Sequence, residues 1–262
     1  MRQFYRLMNA QFSELVISVL SLCVTLIAAS WLLVLYKIKD YNQYAVHERF
    51  EDIYAASGMP IVFLICVLAV IAIFVKSFYS SYWGSKSIYT LLTLPVKREL
   101  VYLSKLCSFA ISILMLLCAQ LLGFILAYNY MASKIANYSN GEFEVTNGLF
   151  LAFIRSDFMR LLWPYGFANV LSTVSIFIVI ITWVYHLVLC ERSQRRLGGA
   201  LIAAVFWPIY LVVTMRLDAF SSQGSFNSYD SSKLILYSAI LLVISVICVW
   251  HSIVLLRKGA TT

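Results

Sequence analysis

Residues 63–75 read FLICVLAVIAIFV, an unbroken apolar run that decides the class of this protein. Polar residues do not alternate with apolar ones in it, as they do in a strand of a membrane β-barrel. A helix satisfies its backbone hydrogen bonds internally, so it is the structure expected of such a run in lipid. The run predicts an all-α membrane protein.

The composition of the whole chain agrees with this reading. Of its 262 residues, 62% are hydrophobic and 12% are charged, and the mean hydropathy is +0.85. Too few polar side chains remain to cover a soluble globule. Six runs have the ~17–25 residues needed to cross a ~30 Å hydrocarbon core as helices. They are residues 15–36, 59–75, 106–131, 165–189, 199–215 and 234–256.

Six spans place both termini on one side of the membrane, and the charges choose the side. With the termini inside, the inner segments contain twelve of the 20 Lys and Arg residues and three of the 12 Asp and Glu residues. The inner charge is then +9 and the outer charge −1, which sum to +8. By the positive-inside rule we expect a multi-pass protein of the cell membrane with both termini cytoplasmic. The basic charge needs no nucleic acid to explain it.

Cysteine and histidine positions predict neither a disulfide nor a metal site. Five cysteines fall within predicted spans and Cys190 at a cytoplasmic helix end, so none lies in an external loop. No Cys/His group has metal-ligand spacing along the chain. His47, His186 and His251 are predicted in an external loop and at two inner helix ends. We therefore expect no metal, no cofactor and no enzyme active site in this chain.

The first 14 residues, MRQFYRLMNAQFSE, are amphipathic. Phe4, Leu7 and Phe12 fall on one helical face. Arg2 and Arg6 fall on the opposite face. The pattern predicts a helix lying flat in the inner interface. The alternative is a basic flank that only orients the first span.

Two external segments have distinct patterns. Residues 147–164, NGLFLAFIRSDFMRLLWP, predict an amphipathic helix in which Asp157 and Arg160 pair, and this helix is either a structural cap or a gate or substrate contact. Residues 216–233 are rich in Ser, Gly and Asn and predict a flexible connector.

A basic, half-apolar loop at residues 76–105 separates the second and third spans. It contains five cations and one acid, so it is predicted to be cytoplasmic. The expected role of Lys97, Arg98 and Lys105 is to anchor the loop at the inner leaflet.

Within that loop, Ile88, Leu91 and Leu92 share one face of a short predicted helix. Pro95 disfavours helical geometry in the preceding residue, so this helix should end there. A second helix is expected to start at Val96 and to continue into the third span. The exposed aliphatic face of the short helix requires a partner groove.

Residues 89–108, YTLLTLPVKRELVYLSKLCS, resemble the same loop in type-2 ATP-binding-cassette (ABC) transporter permease subunits, in a Firmicutes-like form. The likeness consists of TLPV, a basic pair and Ser-Lys-Leu entering the next helix, and the six-span layout extends it over the chain. In that family the loop contains the coupling helix, which docks on a separate ATPase. The resemblance assigns this role to Ser87, Ile88, Tyr89, Thr90, Leu91, Leu92 and Thr93, with Leu94, Pro95, Val96, Lys97 and Arg98 as the closing turn.

The resemblance implies a single permease domain over residues 1–262. Its parts are the interfacial helix at 1–14, two spans within 15–75, the coupling loop at 76–105, four spans within 106–256 and a cytoplasmic tail at 257–262. A fold of six transmembrane helices, a flat amino-terminal helix and a cytoplasmic coupling helix is therefore expected.

The resemblance also implies an ATP-driven exporter. The sequence has no GxxxxGK[ST] phosphate loop, so ATP and Mg are expected on a partner ATPase subunit. Two permease copies, identical or related, would surround one pathway. If the small polar residues of the first and fourth predicted spans line it, the pathway is mildly polar and aromatic-rich, which suits an amphiphile such as a hydrophobic peptide, a lipid or a lipophilic drug. The alternative is a non-transporting sensor or immunity subunit that binds a peptide at its outer loops.

Small polar side chains on the first and fourth predicted spans form two candidate pathway linings. They are Ser18, Ser21, Thr25, Asn169, Ser172 and Thr173. Close packing of helices is the alternative reading of such stripes. No Asp or Glu lies deep in a predicted span, which argues against a proton relay or a cation-coupled carrier.

Overall fold

The computed structural model describes residues 2–39, 49–80, 98–138, 148–192, 197–221 and 231–257. These residues are helical apart from short connections, and no strand occurs among them. The helices, in chain order, are α1 (Arg2–Ile38), α2 (Phe50–Ala56), α3 (Met59–Tyr79), α4 (Arg98–Tyr138), α5 (Leu149–Arg155), α6 (Asp157–Leu162), α7 (Phe167–Arg192), α8 (Leu197–Ser221) and α9 (Ser231–Arg257).

Five helices are long and apolar enough to cross a membrane, which confirms the all-α, multi-pass class. The qualifying stretches are Phe4–Ile38, Met59–Tyr79, Glu99–Lys134, Phe167–Glu191 and Ser231–Leu255. They include or nearly match five of the six predicted spans. The predicted span at 199–215 lies within α8, whose shorter apolar part is Ala204–Arg216. A sixth span therefore stays a prediction.

Helix α1 differs from the expected pair of helices. It runs through 37 residues without a break, a length of about 55 Å at the rise of an α-helix. No Gly or Pro stands within it to break the helix near Glu14. A separate flat helix over residues 1–14 is therefore not confirmed.

The predicted external segment at 147–164 forms two short helices. Ser156 separates α5 from α6, and its side chain accepts a hydrogen bond from the Met159 amide at 3.4 Å. The predicted pairing is confirmed, with Arg160 Nη1 3.9 Å from Asp157 Oδ1. Because the Asp157 side chain is 72% exposed, the ion pair contributes little stability.

The chain divides into two compact units. The first comprises Met1–Leu15, Ile71–Ala110 and Pro164–Thr262. The second comprises Val16–Val70 and Ile111–Trp163.

In the first unit, apolar side chains of α7, α8 and α9 form a common core. Its buried members are Val179, Val205, Val212, Leu234 and Leu241. Helix α8 extends to Ser221, so the predicted connector at 216–233 begins too early. Residues 216–221 contain neither Gly nor Pro and continue the helix, while residues 222–230 lie outside the described ranges.

In the second unit, aromatic rings and one close helix approach form the core. Phe50 and Tyr54 of α2 pack edge-on against Phe124 of α4, with ring centroids 5.1 and 5.0 Å away. Gly123 of α4 lies against α1, where an added Cβ would come 2.5 Å from Oγ of Ser30 and 3.0 Å from its Cβ. Small residues at such contacts let helix backbones approach closely.

Candidate functional site

The predicted coupling residues lie almost entirely outside the part of the chain that the structure describes. Ser87 to Lys97 belong to the undescribed segment, and Arg98 is the first described residue of α4. The predicted start of the second helix, Val96, is outside the described residues; from Arg98 onward α4 runs unbroken to Tyr138. The described residues nearest the loop are the end of α3 and the beginning of α4.

Aromatic contacts join these two helix ends within the first unit. Phe74 of α3 stacks on Phe109 of α4, with ring centroids 4.1 Å apart and planes 10° apart. One turn further along α3, the Phe78 ring faces the ammonium of Lys105, whose Nζ is 4.4 Å from the ring centroid. A cation over an aromatic face is attracted by the ring quadrupole, and more strongly where water is excluded. The end of α3 and the start of α4, here called the roots of the loop, therefore pack against each other.

Lys105 differs from its predicted role as an anchor at the inner leaflet. Only 6% of its surface is exposed, so it is part of the packed interior of the unit. The spacing of cations along the chain predicts the net charge of the loop, but it does not show which cation the fold buries.

Tyr185 of α7 connects the loop roots to a third helix. Its ring packs edge-on against Phe78 at 4.4 Å and against Tyr102 at 4.5 Å. At the same end of α3 the Tyr79 hydroxyl donates a hydrogen bond to the Glu191 carboxylate of α7. Three helices thus share one aromatic cluster beside the predicted coupling loop.

Two of the three candidate pathway residues of α1, Ser21 and Thr25, form side-chain hydrogen bonds within their own helix. The Ser21 hydroxyl donates to the Ser18 carbonyl at 2.8 Å. The Thr25 hydroxyl donates to the Ser21 carbonyl at 2.5 Å and to the Leu22 carbonyl at 3.2 Å. Ser21 and Thr25 are exposed in the second unit, and Ser18 is partly buried.

The candidate pathway residues of α7 lie in the first unit and include a contact to another helix. Asn169 Nδ2 donates to the Tyr165 carbonyl at 3.0 Å, and the Ser172 hydroxyl donates to the Asn169 carbonyl at 2.7 Å. The Thr173 hydroxyl accepts a hydrogen bond at 2.8 Å from Nη1 of Arg216, a side chain that is only 3% exposed. This stripe therefore joins α7 to α8 through a buried cation.

Two histidines that lie far apart in the sequence meet in the first unit. His186 Nε2 of α7 and His251 Nδ1 of α9 are 2.7 Å apart, a hydrogen bond in which one ring donates and the other accepts. Cys190, one helical turn after His186, places Sγ 3.5 Å from both nitrogens of that ring. His186 and Cys190 are fully buried, and His251 is partly buried.

The expectation that His186 and His251 are dispersed is therefore wrong. The sequence alone indicates that His186 and Cys190 lie close together, because they are four residues apart and share a helix face. His251 is 65 residues from His186, and only the packing of α7 against α9 brings its ring to this face. The ligand atoms of the three side chains all lie within 4.8 Å of one another, a separation that one metal ion can bridge.

A second polar cluster lies in the second unit. Gln120 Nε2 donates a 2.7 Å hydrogen bond to the Tyr54 hydroxyl, and burial raises the pKa of that phenol to about 12. Glu51, one turn before Tyr54 in α2, is 6% exposed, and its carboxylate has no hydrogen-bond partner in the described ranges. Buried, unpartnered carboxylates are uncommon in proteins. Sequence patterns placed Glu51 in an external loop and gave no sign of its burial.

Comparison with models of known families, with curated proteins and with solved structures finds no match. A functional assignment therefore depends on the residues and contacts described above.

Proposed function

We propose that this protein is the membrane permease subunit of an ATP-driven ABC exporter. It would have six spans with both termini in the cytoplasm and would pair with a second copy or a related permease. A separate ATPase subunit would bind ATP and Mg. Alternating access driven by that subunit would move an amphiphilic substrate, such as a hydrophobic peptide, a lipid or a lipophilic drug, out of the cell.

The observation that carries the proposal is the packing at the two roots of the predicted coupling loop. A loop that transmits force must be rigidly attached to the helices that it moves, because slack at the attachment would absorb the displacement. The Phe74–Phe109 stack and the Lys105–Phe78 contact join the end of α3 to the start of α4. A push on the loop would therefore displace both helices together.

The contacts of α7 extend this mechanical argument. Tyr185 packs against the same aromatic cluster, and Glu191 accepts a hydrogen bond from Tyr79 at the end of α3. A displacement of the loop roots would therefore reach α7, which contains the polar stripe of Asn169, Ser172 and Thr173. This gives a physical route from an ATPase contact to a candidate pathway lining.

The test is to disrupt the predicted docking face without changing the rest of the loop. Ile88, Leu91 and Leu92 fall on one face of the predicted helix at 3.6 residues per turn, and Ser85 precedes that helix. We expect Leu91→Asp combined with Leu92→Asp to abolish co-purification of the ATPase and nucleotide-dependent export, because charges prevent aliphatic side chains from docking in a groove. Ser85→Asp places the same charge in the loop just before the predicted helix, so it is the matched control and should retain both.

Membrane insertion is measured in parallel, by the amount of full-length protein in washed membranes. Normal ATPase association and export by the inserted double variant would refute the docking role of this face. If the wild-type protein purifies without an ATPase and shows no ATP-dependent transport in vesicles, the transporter assignment fails and a non-transporting sensor or immunity subunit becomes the better account.

A further inference from the structure

The cluster of His186, Cys190 and His251 has no role in the proposed transport mechanism. We propose that it is a zinc site that joins α7 to α9, with Cys248 as its fourth ligand. The proposal depends on the residues of this cluster and not on the identity of the protein as a transporter.

The ligand types and their separations fit zinc. Zn²⁺ prefers imidazole nitrogen and thiolate sulfur in tetrahedral geometry, with bonds of about 2.0–2.1 Å to nitrogen and about 2.3 Å to sulfur. In that geometry two bound nitrogens are ~3.4 Å apart, and a nitrogen and a sulfur are ~3.6 Å apart. Cys190 Sγ already lies 3.5 Å from the His186 ring nitrogens. The 2.7 Å pair of imidazole nitrogens would have to separate by a fraction of an ångström to admit the ion.

Cys248 is the side chain that would supply the fourth ligand. It is 2% exposed and precedes His251 by three residues on α9, so the two side chains lie on the same helix face. The group whose ligand atoms lie within 4.8 Å of one another is His186, Cys190 and His251, so a change of the Cys248 side-chain rotamer would have to bring its sulfur to the ion. Each helix thus contributes one histidine and one cysteine, at spacings of four residues in α7 and three in α9.

Charge balance explains why two thiols suit this apolar location. Binding converts two Cys–SH groups to thiolates, releases two protons and forms two Zn–S and two Zn–N bonds. The dication and two thiolates sum to zero, so the buried site is neutral before and after binding. A net charge at this depth would carry a large desolvation cost. No oxidant or reductant is needed, because neither sulfur nor zinc changes oxidation state.

The site would be structural. Four protein ligands leave no open position for water or substrate, which is the arrangement of structural zinc sites. Because the ligands come from two helices, the ion would cross-link α7 to α9 and stabilise the packed core of the first unit. Binding should therefore raise the temperature at which this unit unfolds.

Metal binding is measured on the detergent-solubilised full-length protein, purified in chelator through a tag that contains no histidine. Zinc is then added and the excess is removed by dialysis. We expect elemental analysis to find one Zn²⁺ per chain, and we expect binding to release two protons at neutral pH. Co²⁺ serves as a spectroscopic probe, since cobalt bound to thiolate absorbs in the near ultraviolet and tetrahedral cobalt absorbs in the visible. The affinity should fall as the pH is lowered, because protons compete for thiolate and imidazole.

Cys190→Ser, Cys248→Ser and His251→Ala should each weaken Co²⁺ binding. Loss of an outer hydrogen-bonding partner alone costs about 10–100-fold in metal affinity, so loss of a ligand should cost at least ~100-fold. Cys118→Ser removes an exposed cysteine of the second unit and should bind as the wild type does. Size-exclusion chromatography and helix content establish that each variant is folded, and Cys190→Ala replaces Cys190→Ser if the latter does not fold.

The cobalt spectrum distinguishes the outcomes. Thiolate absorption in the wild type that halves in either cysteine variant supports the four-ligand site. Binding without thiolate absorption, or binding that is unchanged in Cys190→Ser, overturns the proposal. Absence of cobalt and zinc binding in the folded, reduced wild-type protein also overturns it, and the cluster is then a buried hydrogen-bonded histidine pair.

Discussion

Replacing Gly123 with alanine should destabilise the second unit, although alanine is the better helix former. Gly123 lies within α4, where the backbone of α1 comes close enough for an added Cβ to meet Ser30. Ser30 is fully buried, and its hydroxyl donates to the Leu26 carbonyl at 2.9 Å. The substitution therefore sets intrinsic helix propensity against a steric conflict between two helices.

Three contributions determine the sign. Alanine in place of glycine within a helix gains about 1 kcal/mol. The 2.5 Å contact with Oγ can be relieved by turning the Ser30 side chain, but this breaks its hydrogen bond at a cost of about 1 kcal/mol. The 3.0 Å contact with Cβ of Ser30 does not respond to side-chain rotation and requires a backbone shift, for which overpacking costs about 1–3 kcal/mol. The net expectation is a destabilisation of about 1–3 kcal/mol.

A double-mutant cycle with Ser30→Gly isolates this contact. Ser30→Gly removes both clashing atoms, so the added methyl group should fit in the double variant. Thermal unfolding in detergent micelles should then give a favourable coupling of about 2–4 kcal/mol between the two positions, because only the propensity gain remains in the double variant.

A Gly123→Ala protein that is more stable than the wild type would refute the reasoning, since only the propensity gain would then be acting. Additive effects of the two substitutions would also refute it. Either result would mean that α1 and α4 are further apart at this point than the structure has them.

Two further predictions concern buried polar groups. Because burial raises the pKa of Tyr54 from 10 to about 12, its stabilising contribution should be complete below pH 10 and lost as the pH rises towards 12. An alkaline unfolding series should show a steeper loss in the wild type than in Tyr54→Phe, and the same decline in both would contradict it. Thr173→Val removes the acceptor of the Arg216 hydrogen bond and should lower the free energy of unfolding by about 1.5–3 kcal/mol. Thr25→Val should cost less, because the described hydrogen bonds of Thr25 stay within its own helix, and equal losses would argue against a special role for the Arg216 contact.

Local sequence patterns predicted the helices well because they depend on neighbours along the chain. Apolar runs identified five long apolar helices, and the three-residue spacing of Asp157 and Arg160 predicted their ion pair. The boundary predicted at residue 14 was not confirmed, because an amphipathic pattern does not by itself end a helix and α1 continues through it.

The candidate sites depended more on tertiary packing. Ser18, Ser21 and Thr25 are close to one another because one helix contains them all, so their stripe could be predicted from spacing. The partner of Thr173 could not be predicted, since Arg216 reaches it from another helix and was expected in a connector. The burial of Lys105 and Glu51 likewise results from packing of separate helices.

The sequence by itself determined that this is a helical, multi-pass membrane protein, because a chain with 62% hydrophobic residues and long unbroken apolar runs must satisfy its backbone hydrogen bonds within helices in lipid. It also determined that His186 and Cys190 share a helix face, since four residues make about one helical turn. Only the tertiary structure decided that His251 meets them, and that Phe74 and Lys105 join the roots of the loop to Phe109 and Phe78. These contacts join residues that are distant in sequence, and their existence depends on which helix faces pack together.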